Sequence, residues 1–238
     1  MAVVLVANPH SASWRLGLNM LGTASDLGSE SSTLLLIRLL SQSSSSDRLS
    51  KTPLLVAALS RFRHILRKKQ DPDALTLQGL ILANEGDDGK ALEFFSQAME
   101  VGSPNPSSGG QQQDIRPPWW GWEASCHLTR ARILLQQGRR EEAIAAFRVA
   151  AVELDHAQAY FKLATLLAED SPERGQYLQK AAVSGVPEAC QLLGESEVRM
   201  AEQPDQPKEK VREHCLWASE WFSLAGNPTK REKTPVPA

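Results

Sequence analysis

The stretches GDDGKALEFFSQA (86–98) and GRREEAIAAFRVA (138–150) carry one pattern twice. Ala91, Phe95 and Ala98 in the first correspond to Ala143, Phe147 and Ala150 in the second. A glycine, Gly86 or Gly138, precedes each set by five residues, and another small residue, Gly79 or Ala131, precedes it by twelve. Intervals of four and three are those of one helix face. Small residues let two antiparallel helices approach closely, and the aromatic ring fills the space beside them. The intervening glycine suits the left-handed backbone that ends a helix, because it carries no Cβ. Each copy therefore predicts a helical hairpin.

The copies lie 52 residues apart, about one 34-residue helical repeat plus an insertion. The insertion is residues 103–118, SPNPSSGGQQQDIRPP, which is rich in Pro, Gly and Gln and has no period. Helices are expected over 73–85, 87–101, 119–137 and 140–154. Two further helical pairs follow, with breaks at 170–172, 185–187 and 203–207, and the last helix ends near Gly226. Residues 227–238 read as a flexible tail. On the N-terminal side, Thr52-Pro53 marks the start of an amphipathic helix over 53–70. Leu54, Leu55, Ala58, Leu59, Phe62, Ile65 and Leu66 recur at helical spacing, and Arg67, Lys68 and Lys69 complement the helix dipole. Residues 1–52 are Ser-rich without a sustained period, so they are expected to be mostly disordered or weakly helical. Their longest apolar stretch, 34–40, is interrupted by Arg38.

The two hairpin copies resemble the tetratricopeptide repeat. They depart from it where the usual large residue early in the first helix is Leu75 or His127. The boundary proline is displaced to Pro104 in one copy and replaced by Asp155 in the other. Further on, Tyr177-Leu178-Gln179-Lys180-Ala181-Ala182-Val183-Ser184-Gly185, then Pro187-Glu188-Ala189 and Leu192-Leu193-Gly194, resembles the Sel1-like variant of the same architecture. A weaker echo is Ala218, Trp221, Phe222, Ala225 and Gly226. The resemblance covers about 71–226. It implies an all-α fold, a right-handed α-α superhelix of about four helical pairs. It further implies a concave groove lined by the first helix of each pair. Motif positions place Asn84, Arg132, Gln136, Phe161 and Gln191 there, where they would bind partner segments. A Cys190–Cys215 disulfide across antiparallel helices is what the resemblance implies for an oxidising compartment, and free thiols are the alternative.

Composition narrows the function. Hydrophobic residues make up 42% and charged residues 23%, which is globular. Residues 1–70 hold nine Lys/Arg against three Asp/Glu, while 71–238 hold 17 against 25. A basic front on an acidic body argues against nucleic acid as partner. No apolar run is long enough for an integral membrane span. The segment up to Asp26 is acid-poor and Ser-rich, as mitochondrial presequences are, yet holds a single arginine, Arg15. The expected compartment is thus mitochondrial or cytoplasmic.

No nucleophile elbow, metalloprotease, P-loop or dinucleotide motif is present. Gly86-Asp87-Asp88-Gly89-Lys90 lacks the spacing of a phosphate cradle and reads as a turn. Cys126-His127 and His214-Cys215 offer ligand types for zinc without the accompanying CxxC or His pair. No metal, cofactor or small-molecule substrate is expected. Trp119, Trp120 and Trp122 are either an aromatic anchor for a partner or a seal over the start of the third repeat helix, the reading favoured here. Arg61, Arg63, Arg67, Lys68 and Lys69 read as a solvated helix face rather than a lipid or RNA contact. The pattern points to a protein–protein interaction scaffold or adaptor. The alternatives are an assembly factor of an organellar complex and, less favoured, an enzyme or enzyme subunit, for which no convergent ionisable set is found.

Overall fold

The structure, a computed structural model, describes residues 12–42, 53–68, 70–103, 115–169, 171–204 and 206–226. Among them eleven α-helices and one π-helical turn occur, and no strand. The chain divides into two compact units, one of residues 1–109 with 118–133, the other of 110–117 with 134–238.

The first unit contains α1 (Ala12–Asp26), α2 (Glu30–Gln42), α3 (Pro53–Lys68), α4 (Pro72–Glu85), α5 (Asp88–Gly102) and most of α6 (Glu123–Gln136). Its local signals are explicit at α4. Asp71 caps that helix, accepting from the N–H groups of Asp73 (2.9 Å) and Ala74 (3.1 Å), and Pro72 occupies the first turn. Gly86, at φ 86°, ends it, and Asp87 N–H bonds back to Leu82 O at 2.9 Å. Asp87 then caps α5 through Lys90 N–H. The glycine of the repeat pattern has its expected use: a Cβ on Gly79 would lie 2.5 Å from the Phe95 ring. Only glycine at 79 lets α4 sit this close to α5. Phe95, Ala91 and Ala98 are fully buried there, together with Cys126 and Ile133 of α6. Burying such a phenylalanine is worth about 1.5–3 kcal/mol.

The second unit contains the last turn of α6, α7 (Arg140–Arg148), the π turn Val149–Glu153, α8 (Ala157–Leu166), α9 (Pro172–Val183), α10 (Pro187–Ala201) and α11 (Lys208–Leu224). From α7 onward each helix packs on its sequence neighbours. Leu154 N–H bonds Val149 O at 3.2 Å at the end of the π turn; where the repeat pattern lacks its proline, Asp155 adopts φ 50°, and His156 N–H bonds back to Ala150 O at 3.0 Å. The Gly79–Phe95 contact has a counterpart here: a Cβ on Gly194 of α10 would lie 2.6 Å from the Phe222 ring of α11.

Two expectations are corrected. Residues 12–26 and 30–42 are helices rather than disordered chain. Leu18, Leu21, Leu34, Leu36, Ile37 and Leu40 form a buried cluster with Ala58, Phe62 and Ile65 of α3 and with Ala74 and Leu77 of α4. These helices have only 15 and 13 residues, too short to persist alone, so mutual packing and not local periodicity orders them. Their serines and threonines are not an obstacle, because Ser25 and Thr33 pair hydroxyl to hydroxyl at 2.7 Å in the interior. Next, the third repeat helix begins at Glu123, not Trp119. For the cysteines, where both readings stood open, the structure has free, buried thiols at Cys126, Cys190 and Cys215. Cys126 donates to Phe95 O and Cys190 to Ala182 O, both at 3.8 Å. The four helical pairs after α3 agree with the sequence reading. Thr52, Lys69, most of the 103–118 insertion and the 227–238 tail lie outside the described residues.

Candidate binding site

Three helices of the first unit turn one face toward a common cavity of about 210 Å³. From α2 come Arg38 and Ser41; from α4, Leu77, Leu80 and Asn84; from α6, Ser125, Leu128 and Thr129. Each set follows the three- and four-residue spacing of a single helix face. The wall is mixed, with three leucines beside two serines, a threonine, an amide and one guanidinium.

Arg38 is the only charged side chain in that wall. Its guanidinium carbon lies 4.7 Å from the centre of the Trp122 ring, and one N–H donates to Ser125 Oγ at 3.2 Å. Burial pulls its pKa down, and the negative charge of Asp73 opposes that shift. Arg38 stays charged, since its ordinary value is far above neutrality. Asp73 does not form a salt bridge to it. Both Asp73 oxygens accept from backbone, Oδ1 from Trp122 N–H (2.7 Å) and Oδ2 from Gly121 N–H (3.2 Å). Burial raises the Asp73 pKa, the two backbone bonds lower it, Asp71 raises it and Arg38 lowers it, with a net upward shift. Among the described residues, no carboxylate lies within ion-pair distance of Arg38.

The tryptophans hold α6 in place. Trp120 is buried, its indole N–H donates to Thr76 Oγ1 at 3.2 Å, and its ring lies where a Cβ on Gly102 would be, 2.4 Å away. Trp122 packs beside the α1–α3 core cluster under Arg38. Trp119 is exposed, and its N–H donates to the buried carboxylate of Glu123 at 2.7 Å. Trp120 and Trp122 thus pack against other elements of the unit, while Trp119 is about half exposed.

Of the five groove residues read from the sequence, Asn84 lines the cavity. Arg132 is exposed on α6 in the first unit, one turn beyond Thr129 and outside the cavity wall. Gln136, Phe161 and Gln191 belong to the second unit. Gln136 is exposed; the Lys162 ammonium lies 5.4 Å from the Phe161 ring; Gln191 donates to Glu195 at 3.0 Å along α10. The five do not form one described site. Sequence reasoning missed Arg38 and Ser41, because α2 was read as unstructured, and Ser125 and Thr129, which no motif marks. The signal for Arg38 was present: a lone arginine inside the apolar stretch 34–40.

Other candidate groups have structural uses. Arg61 bonds Ser25 (3.0 Å) and pairs with Asp26, and Lys68 pairs with Glu30 at 3.1 Å, so part of the basic face ties α3 to α1 and α2. His214 Nδ1 lies 2.7 Å from Glu197 between α10 and α11. Among the described residues no three His, Cys, Asp or Glu side chains converge on a metal position. No described helix is long and apolar enough to cross a membrane.

Residues 124–151, from α6 into the π turn, match the tetratricopeptide repeat profile. No curated protein matches the chain. The chain thus carries a tetratricopeptide-type repeat within an array of helical hairpins, an architecture that serves protein–protein interaction.

Proposed function

We propose that this protein is an interaction scaffold that grips a segment of a partner protein along the face shared by α2, α4 and α6. The supporting observation is the cavity into which these three helices turn leucine, hydroxyl, amide and guanidinium groups together. A leucine wall supplies apolar area, and polar groups at its edge fix the orientation of what binds. Asn84 belongs to this site. The longer groove that adds Arg132, Gln136, Phe161 and Gln191 is a separate, wider proposal.

Native co-purification of the tagged full chain from its own cells, read by mass spectrometry, tests the scaffold. A stoichiometric partner lost on Leu128→Lys or Asn84→Arg is the expected result. A chain that elutes alone in every preparation would overturn it. Loss of the partner on Arg132→Glu would extend the site along α6, and no change there would confine it to the cavity. Service as an assembly factor of a mitochondrial complex is the finer form of this proposal. In that case any presequence cleavage falls before α1, because Leu18 and Leu21 belong to the core cluster. We read 177–194 as a Sel1-like hairpin boundary, with Tyr177 stacked near Tyr160 at 5.6 Å.

A further inference from the structure

We infer that the α2–α4–α6 cavity is a subsite for one acidic side chain of the partner segment, with Arg38 as its counter-ion; this rests on the scaffold reading above. Arg38 is half-buried and lines the cavity, yet no described carboxylate pairs with it. A charge taken out of water without a partner is costly. The structure holds it instead by the Trp122 ring on one side and Ser125 at one nitrogen. Further N–H donors of its fork have no described acceptor, and a guanidinium fork can receive a carboxylate with two parallel bonds.

The chemistry selects a monoanion. A single guanidinium lines the cavity, and Asp73 is a negative charge near enough to act on Arg38, with both oxygens committed to backbone N–H groups. Such a site neutralises one negative charge and repels a second, so a carboxylate fits and a phosphate dianion does not. Around it, Ser125, Thr129 and Asn84 can bond the remaining carboxylate lone pairs and the nearby backbone, while the Ser41 hydroxyl donates to Arg38 O at 2.9 Å. Leu77, Leu80 and Leu128 receive the aliphatic neighbours. The occupant is thus a Glu or Asp flanked by apolar residues, on a protein segment.

The test uses the full chain labelled with nitrogen-15, observing the Arg38 Nε–H and Trp122 indole N–H resonances. The probes are Ac-Leu-Glu-Leu-NH2, Ac-Leu-Gln-Leu-NH2 and inorganic phosphate. The acidic tripeptide is expected to move both resonances saturably, and the glutamine peptide to bind at least about tenfold more weakly. Arg38→Gln should abolish the Trp122 response. Ser125→Asp places an internal carboxylate beside Arg38 and should weaken the acidic peptide by a similar factor without lowering the melting temperature, which covers the case of an Arg38→Gln chain that fails to fold. Equal response to the two peptides, preference for phosphate, or binding unchanged in Ser125→Asp overturns the inference. A co-purifying partner together with a silent peptide titration sinks the acidic subsite and leaves the scaffold standing. A responsive titration with no partner in any preparation sinks the scaffold alone.

Discussion

The hairpins α4–α5 and α10–α11 share one contact and little else. In both, a glycine on the first helix admits a phenylalanine ring of the second to 2.5–2.6 Å from where a Cβ would stand. Their connections differ. Between α4 and α5 the chain turns through Gly86 and Asp87, with a side-chain cap on each helix. Between α10 and α11 it runs through 202–207, and neither Val186 nor Pro207 provides a side-chain cap. Surroundings differ too. Leu216, Trp217 and Leu224 of α11 are 52–66% exposed, whereas α5 is covered by Trp120 and α6. What the repeat preserves is the close approach of two helices, an interior constraint. Turn chemistry at the surface varies around it, because water can satisfy an uncapped helix end but cannot fill a misfit core.

The largest test of this comparison is removal of the ring. Phe95→Ala and Phe222→Ala should each cost about 3–5 kcal/mol in urea unfolding, with Phe95 the worse because its hairpin is covered on both sides. Equal or reversed costs would break the idea that covering sets the difference. Gly79→Val and Gly194→Val should each cost about 1–3 kcal/mol through overpacking. A neutral result at Gly194 would mean that α11 can slide away from α10, a freedom α5 lacks. Asp71→Ala should cost about 1 kcal/mol as a lost cap, while Pro207→Ala at the corresponding position of α11 should change the urea midpoint little.

Two smaller tests concern titration. Burial pushes the Cys126 thiol up to about 12, so at pH 8 it should not react with a disulfide reagent until the chain unfolds. Rapid native labelling of Cys126 would show that the α4–α5–α6 core opens. Asp73 has a pKa raised by folding. The folded chain therefore holds that proton to higher pH than the unfolded one. Its contribution to stability is full below the unfolded value and is lost as pH rises through the folded value. Asp73→Asn should remove this falling component, so that stability falls less, or rises more, with pH across that window. A change of slope in the opposite sense would mean that its bonds to Gly121 and Trp122 outweigh its burial.

The hairpins after α3 were legible because their information is local. Gly86 and Gly138 end helices, Asp71 and Asp87 begin them, and the Ala-Phe-Ala faces recur at fixed offsets. The candidate site was legible only at Asn84, which falls at a repeat position. Arg38 and Ser41 sit on a helix whose own sequence is Ser-rich and short, and whose order comes from Phe62, Ile65 and Leu77 elsewhere in the chain. Ser125 and Thr129 are ordinary polar residues until α2 faces them. The tryptophans were half legible: the sequence marked an unusual cluster, but only contact with Thr76, Gly102 and Arg38 separates the buried pair from Trp119.

By itself, then, the sequence determined an all-helical repeat, the limits of most of its hairpins and the positions where helices touch. Those follow from backbone preferences and periodicity within about a dozen neighbouring residues. Tertiary structure alone decided that 12–42 belongs to the core, that the cysteines are buried free thiols, and that Arg38 lines a cavity with no carboxylate at ion-pair distance among the described residues. Burial and charge pairing depend on residues distant in the chain, and their energies exist only once those residues meet.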